Sequence, residues 1–358
     1  MITPRENLMR ACRRQGFEWV PLDIWLCDSQ IDAFEKRFGH RDYFGWFELD
    51  FRWVNLLEHP GFQNGHDLYP REKLPDSVEF DVLGVGHSKG SEAAFHMTRM
   101  HHPLKGAERI EEILSHPLPR FNREENQPLF DEIAGLHEKG LAAMCMMQMT
   151  VWEASWYLRS MEDLLMDMML GDEKANALLD RITQYAIDRI KLYTEAGVDI
   201  VSLGDDLGAQ SGPLMSVEMW EQWFKPRLTR IIKTAKDINP DVLIFYHSCG
   251  YVTPFIDGLI ECGVDILNPI QPESMDFNEI HARFGDRISF WGTLGTQQLL
   301  PFGTPQQVTE ISTDRIRRCG PRGGLVLGPT HLVEPEVPFE NLMAMKEAAR
   351  MMYPKPTP

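Results

Sequence analysis

A (β/α)8 barrel is the fold class this sequence predicts, and three observations predict it. After residue 140, six apolar β-like runs alternate with helical stretches, the rhythm of a parallel sheet with helical crossovers. Two helix-to-strand joints use nearly the same words, EAGVDIVSLG at 195–204 and ECGVDILNPI at 261–270. Each sets Gly just past a helix end and then a strand buried on both faces. No G-x-G-x-x-G follows a first strand, which weighs against an open dinucleotide-binding sheet. The expectation is one barrel domain over residues 1–358, with residues 26–135 as an irregular, aromatic-rich N-terminal elaboration.

In chain order, residues 1–20 read as a helix, with Thr3 as N-cap, Pro4 at the first helical position and Glu6 completing a capping box. Trp19–Trp25 (WVPLDIW) is a first strand. The region to about residue 130 is irregular, with Trp46, Phe47, Phe51, Trp53 and Phe62 among short helices and turns. Phe80–Val85 and Ser91–Met97 flank a GHSKG turn at Gly86–Gly90 and look like a β-hairpin. His101–Pro119 is a charged surface helix between prolines; His87, His101 and His102 are read as surface residues. Gly140–Thr150 is a buried strand, followed by two helical stretches broken near Gly171-Asp172. In the second, Leu179, Ile182, Ala186 and Ile190 form the core stripe of an amphipathic helix. Strands at Val198–Leu203, Val242–Gly250, Val264–Pro269, Arg287–Trp291 and Gly324–Gly328 then alternate with helices from Ser216, at Pro254–Cys262, Phe277–Phe284 and Pro305–Arg318, and at Glu340–Met352. Seven strands are distinct; the eighth hides in the N-terminal region.

Composition excludes several partners. A formal net charge of −17 lacks the basic face that nucleic acid or an anionic membrane requires. No apolar run approaches the roughly 20 residues of a membrane-spanning helix, and the N-terminus has no signal-peptide core. Six cysteines without a C-x-x-C pair fit free thiols in a reducing cytoplasm.

In such a barrel, chemistry collects at the C-terminal ends of the strands. Reading those ends gives Gln148 and Trp152; Asp205 and Asp206; His247 and Cys249; Asn268 and Gln271; Trp291 and Thr293; Thr330 and His331. The run VLIFYHSCG at 242–250 is central. Residues i and i+2 of an extended chain point the same way, so the His247 imidazole and the Cys249 sulfur can converge on one ion, while Gly250 lets the backbone turn away. With His331 they make an N/S/N set suited to zinc with an open fourth position. Asp205 or Asp206 is a fourth ligand, a partner behind a ligating histidine, or a base. Trp25, Trp152 and Trp291 offer aromatic walls for a substrate, and Gln148 and Gln271 polar contacts.

Four ordered motifs, HPL…EEILSHPLP, GDDLG with GPLMSVEMWEQWFKPRL, FYHSCG, and GP…H…P…VPFENL, resemble the uroporphyrinogen decarboxylase superfamily. The resemblance covers the chain from about residue 18 and implies a (β/α)8 barrel with its site at the strand C-termini. The decarboxylase branch carries R-Q-A-G-R to grip substrate carboxylates; here the matching stretch is PLDIWLCDSQ, with no arginine between Pro21 and Gln30. That loss speaks against a polycarboxylate substrate. The other branch, zinc-dependent methyltransferases of the methylcobalamin:coenzyme M type and related corrinoid demethylation systems, binds zinc through H-x-C and a distant cysteine. His247 and Cys249 match the first half, and His331 stands in the place of the cysteine. The resemblance implies transfer of a methyl group between a small-molecule donor or acceptor and a corrinoid (cobalamin), activated by Zn2+. Exchanging thiolate for imidazole makes the metal a stronger Lewis acid and suits an oxygen leaving group, as in an aromatic methyl ether. No D-x-H-x-x-G cobalamin signature is present, so the corrinoid is expected on a separate protein. A decarboxylase of another acidic substrate using Asp205 or Asp206, and a non-catalytic relative, are the competing readings. A homodimer is compatible with the sequence.

Overall fold

The computed structural model describes residues 2–90 and 98–356. Its described strands are β1 (Phe51–Val54), β2 (Glu79–Phe80), β3 (Gly86–Lys89), β4 (Thr98–His101), β5 (Ala142–Gln148), β6 (Ile200–Gly204), β7 (Leu243–His247), β8 (Ile266–Asn268), β9 (Ser289–Trp291) and β10 (Leu325–Val326). Seven of them form one curled sheet in the order β1-β5-β6-β7-β8-β9-β10, every pair parallel. The Trp19–Trp25 segment adds the next stave. Leu22 bridges Leu327 and Leu26 bridges Val333, both parallel, with Asp23 N–H donating to the Leu327 carbonyl at 3.0 Å. The barrel class thus follows, and the hidden eighth strand is β1. Across the remaining gap between this segment and β1, the Trp19 indole N–H reaches Asp50 Oδ2 at 2.9 Å.

Local chemistry explains the alternation. Gly197 and Gly263 end their helices at φ of 93° and 101°, a left-handed conformation that costs glycine little. Strands β6 and β8 after them are fully buried. Gly171 stops one helix and Asp172 caps the next, Glu173–Ala196, accepting from Lys174 N–H. Leu179, Ile182, Ala186 and Ile190 all lie in the core. The capping box of Thr3 and Glu6 forms as expected, but the helix runs only over Pro4–Cys12.

The region before residue 135 departs from expectation. Gly86–Lys89 is strand β3 rather than a turn, the centre of a three-stranded antiparallel sheet β2-β3-β4; the expected second strand, Ser91–Met97, lies outside the described residues. The GHSK side chains have cross-strand partners: His87 Nδ1 lies 2.7 Å from Thr98 Oγ1, and Ser88 Oγ 2.9 Å from His101 Nε2. His101 is accordingly buried, held on its other side by Glu72, and His102 is half-buried. The helix read over His101–Pro119 shortens to Ile110–Ser115. Among the described residues no helix is long and apolar enough to cross a membrane.

Candidate metal centre

Strand β7 delivers His247 at its last position, and the chain turns at Gly250 with φ 79°. A Cβ there would fall 2.6 Å from the Gly208 carbonyl oxygen, so the turn needs glycine both for its conformation and for space. His247, Cys249 and His331 each turn one ligand atom inward, and those atoms lie within 4.8 Å of one another. The His331 ring, on the loop after β10, has its centroid 6.0 Å from that of His247 and 6.1 Å from that of Trp25.

A hydrogen-bond chain fixes which nitrogen of His247 is available. Asn268, the last residue of β8, donates from Nδ2 to the Trp291 carbonyl at 2.8 Å, which fixes the direction of its amide. Its Oδ1 therefore faces His247 Nδ1, at 2.6 Å. An acceptor there makes Nδ1 the protonated nitrogen of the neutral ring and leaves the Nε2 lone pair pointing at the Cys249 sulfur, 3.4 Å away. This is the arrangement by which ligating histidines are oriented. Burial, with Asp206 and Glu153 nearby, holds the Cys249 thiol well above its ordinary pKa. A metal cation at the three donors would reverse that preference, because a coordinating thiol is deprotonated outright. Two imidazole nitrogens and one sulfur at this spacing fit zinc.

The two aspartates differ. Asp206 accepts from the Cys249 backbone N–H at 2.7 Å and lies 3.8 Å from His247 Nε2. Asp205 turns the other way, buried, and accepts from Val151 N–H at 3.1 Å and Glu153 N–H at 2.9 Å, capping the helix Trp152–Arg159. Burial pushes its carboxyl up to about 7 against those backbone bonds. Glu153 sits behind both. Its Oε2 accepts from Asp206 N–H and its Oε1 from the Tyr157 hydroxyl, each at 3.2 Å. Burial, then Asp206 and Asp205, raise its pKa well above the carboxylate range.

Two cavities meet at Thr330 and His331. The inner one, of 30 Å³, is walled by Trp25, Trp53, Phe245 and Trp291, with Gln148 and His247 also on it. The outer mouth, of 650 Å³, is lined by Cys249, Gln271, His331 and neighbouring loop residues. The geometry thus gathers Trp25, Gln148, Gln271 and Trp291 around the three candidate metal ligands. It does not gather Trp152, which is buried against Phe224 with ring centroids 5.6 Å apart and lines neither cavity.

Three groups escaped the sequence reading. Asn268 stood among the strand ends without a role. Glu153 lies within a helix, where a lone acid reads as surface. Asp23 shares a face of the first segment with Trp25, an i, i+2 relation legible in LDIW; it lines the inner cavity, accepts from the Trp291 indole N–H at 2.7 Å, and is pushed up to about 6 by burial.

Residues 77–352 match the family model described as Uroporphyrinogen decarboxylase (URO-D). A methylated-thiol–coenzyme M methyltransferase of Methanosarcina mazei is 28% identical over 179 residues, covering 50% of this chain and 45% of that protein. The methylcobamide:CoM methyltransferase MtaA of Methanosarcina barkeri is 26% identical over 176 residues, 49% of this chain and 48% of its own. A uroporphyrinogen decarboxylase of Coxiella burnetii is 25% identical over 178 residues, 49% of this chain and 46% of its own. The chain spans about half the length of these relatives. The structure of a methyltransferase from Methanosarcina mazei superposes with a TM-score of 0.65 at 17% identity, over 99% of this chain and 100% of that one, a likeness of fold. The chain belongs to the uroporphyrinogen decarboxylase (URO-D) family, and its similarity within that family extends to the methylcobamide methyltransferases.

Proposed function

We propose that this chain is a methyltransferase that moves a methyl group between a small molecule and a corrinoid carried by a separate protein, at a zinc ion held by His247, Cys249 and His331. The observation that carries the reading is the convergence of those three ligand atoms within 4.8 Å at the C-terminal end of the barrel. The relatives named for methyl transfer to coenzyme M support the reaction class. When bound, zinc would supply Lewis acidity toward the heteroatom that loses or gains the methyl group, and the corrinoid would supply the other methyl-carrying centre.

The chain's own residues do the positioning. Asn268 holds His247 in the Nε2-available tautomer. Asp206 pins the Cys249 backbone through its N–H, which sets where the sulfur points. Asp205 fixes the Val151–Glu153 turn beside it. Trp25, Trp291 and Phe245 enclose the inner cavity next to His247 and keep it poor in water, where electrostatic interactions act most strongly. A neutral third ligand, His331, in place of a thiolate leaves one more positive charge at the metal, and this favours an oxygen leaving group such as that of an O-methyl aromatic ether. The decarboxylase reading would need Asp205 or Asp206 to face a substrate; Asp205 is engaged by two backbone amides, and Asp206 gives Oδ1 to the Cys249 N–H.

Zinc stoichiometry of the wild type beside His331→Ala tests the proposal, together with the cobalamin absorbance spectrum on adding a phenyl methyl ether. Expected are one zinc per chain in the wild type, loss of most of it in His331→Ala, and conversion of reduced to methylated cobalamin by the wild type alone. A wild type that takes up no zinc, or a cobalamin spectrum unmoved by any methyl donor, refutes it.

A further inference from the structure

The two ends of this barrel differ in the charges that line their cavities, and the difference bears on what the mouth admits. At the N-terminal end of the strands the cavities are of mixed charge: Arg5, Arg10 and Arg13 line one beside Glu6, Asp199 and Asp241, and Arg52 and Lys355 line another beside Glu48. At the C-terminal end, neither the 650 Å³ mouth nor the 30 Å³ inner cavity has a lysine or arginine among its described lining residues. Among the described residues the charge that lines them is acidic: Glu334 and Glu336 on the mouth and Asp23 on the inner cavity, with the partly exposed Asp206 beside His247. Away from the proposed metal, an anionic group on the part of the substrate lying in the mouth would lose water without gaining an ion pair or a guanidinium fork from the described lining residues, and would meet carboxylates instead.

The neutral polar groups are placed to donate and accept. Gln271 accepts from Gly250 N–H through Oε1 at 2.9 Å, so its Nε2 is the end left to donate into the mouth that it lines. Gln210 Nε2 donates to Gln297 Oε1 at 3.0 Å across the rim. Size divides the two spaces. The inner cavity, at 30 Å³, has room for a group of about the size of one water molecule or methyl, so the remainder of any substrate sits in the acidic, amide-lined mouth.

From this we infer that the molecule exchanging its methyl group carries a tail that is cationic or uncharged, and that the exposed Glu336 makes the mouth reject sulfonate and carboxylate tails. The inference rests on the proposed methyl transfer for which group is exchanged, but the charge of the tail is read from the mouth alone.

A matched series of methyl thioethers tests it: 2-(methylthio)ethylamine, 2-(methylthio)ethanol and 2-(methylthio)ethanesulfonate, titrated into zinc-loaded and metal-free protein by calorimetry at low ionic strength. The amine is expected to bind at least ten-fold more tightly than the sulfonate, with the alcohol between them. Glu336→Lys alters an exposed side chain, so folding is retained, and is expected to narrow the amine-to-sulfonate ratio at least five-fold. A sulfonate that binds as tightly as the amine, a ratio unmoved by Glu336→Lys, or no binding by any of the three overturns the inference. Failure of the methyltransferase reading registers separately, as absent zinc or an unchanged cobalamin spectrum with the ranking of tails intact.

Discussion

Asn268 carries two hydrogen bonds with different purposes, and substitution can separate them. Its Oδ1 accepts from His247 Nδ1 at 2.6 Å, and its Nδ2 donates to the Trp291 carbonyl at 2.8 Å. Asn268→Leu removes both. Asn268→Asp keeps an acceptor for the imidazole but replaces the amide donor. The Trp291 carbonyl loses the same partner in each variant, so both should lose about 1–2 kcal/mol of stability. Metal affinity should split. Removing the group that orients a ligating histidine typically costs about 10–100-fold in metal affinity, or about 1.4–2.7 kcal/mol, and that loss is expected for Asn268→Leu. Asn268→Asp should stay within a few-fold of wild type, because a carboxylate also holds Nδ1–H. Zinc competition against a chromophoric chelator, with urea unfolding of the metal-free proteins as the control, measures the two effects independently. Equal losses of zinc affinity in both variants, or undiminished affinity in Asn268→Leu, would refute the assignment of Nε2 as the metal-facing nitrogen.

Other outcomes follow from the same geometry. Asp205→Ala strands the Val151 and Glu153 amides at a buried helix start and should cost about 2 kcal/mol or more in urea unfolding; an unchanged midpoint would show that the cap is dispensable. Gly250→Ala forces a side chain into a left-handed turn against Gly208 and should destabilise by at least about 2 kcal/mol, while Gly39→Ala, with open space around it, should cost only the conformational part of that. His116 is buried and donates to the Leu83 carbonyl from Nε2 at 2.8 Å, and burial lowers its pKa from 6.5 to about 4. The unfolded chain therefore binds the proton first on acidification. The contribution is complete above pH 6.5 and is lost as pH falls towards 4, up to about 3 kcal/mol. Urea midpoints between those pH values should slope upward with pH, and His116→Gln should flatten the slope; a parallel slope in the variant excludes this residue as the cause.

Much of the barrel was legible because parallel strands buried on both faces need uninterrupted apolar runs, and those of β5 to β10 are punctuated by helix-ending glycines such as Gly197 and Gly263. Strand β1 was hidden for the opposite reason. Four residues, FRWV, include an arginine whose head folds back onto the Leu49 and Phe51 carbonyls, and nothing periodic marks so short a run. GHSK misled because a stretch that opens on glycine and holds three polar side chains carries turn chemistry, while its partners on β4 lie nine to fifteen residues on. At the site, the H-x-C pair was visible from strand alternation alone. Which of Asp205 and Asp206 faces His247 was not, since adjacent residues point apart and only the tertiary placement of the Val151–Glu153 amides draws Asp205 away. Asn268 and Glu153 owe their importance to partners more than twenty residues distant, which no local pattern announces.

The chain of contacts from His247 through Asn268 to the Trp291 carbonyl continues. The Trp291 indole donates to Asp23, on the segment that meets β10 through the Leu22–Leu327 bridge. One metal donor is thereby tied, side chain by side chain, to β8, to β9 and to the stave beside the unpaired seam. A slip of one residue in any of these elements would turn its contributing group to the opposite face and leave His247 free to rotate. The three side chains converge only when the two ends of the sheet have found their places, so the metal binding we propose would follow closure of the barrel rather than precede it.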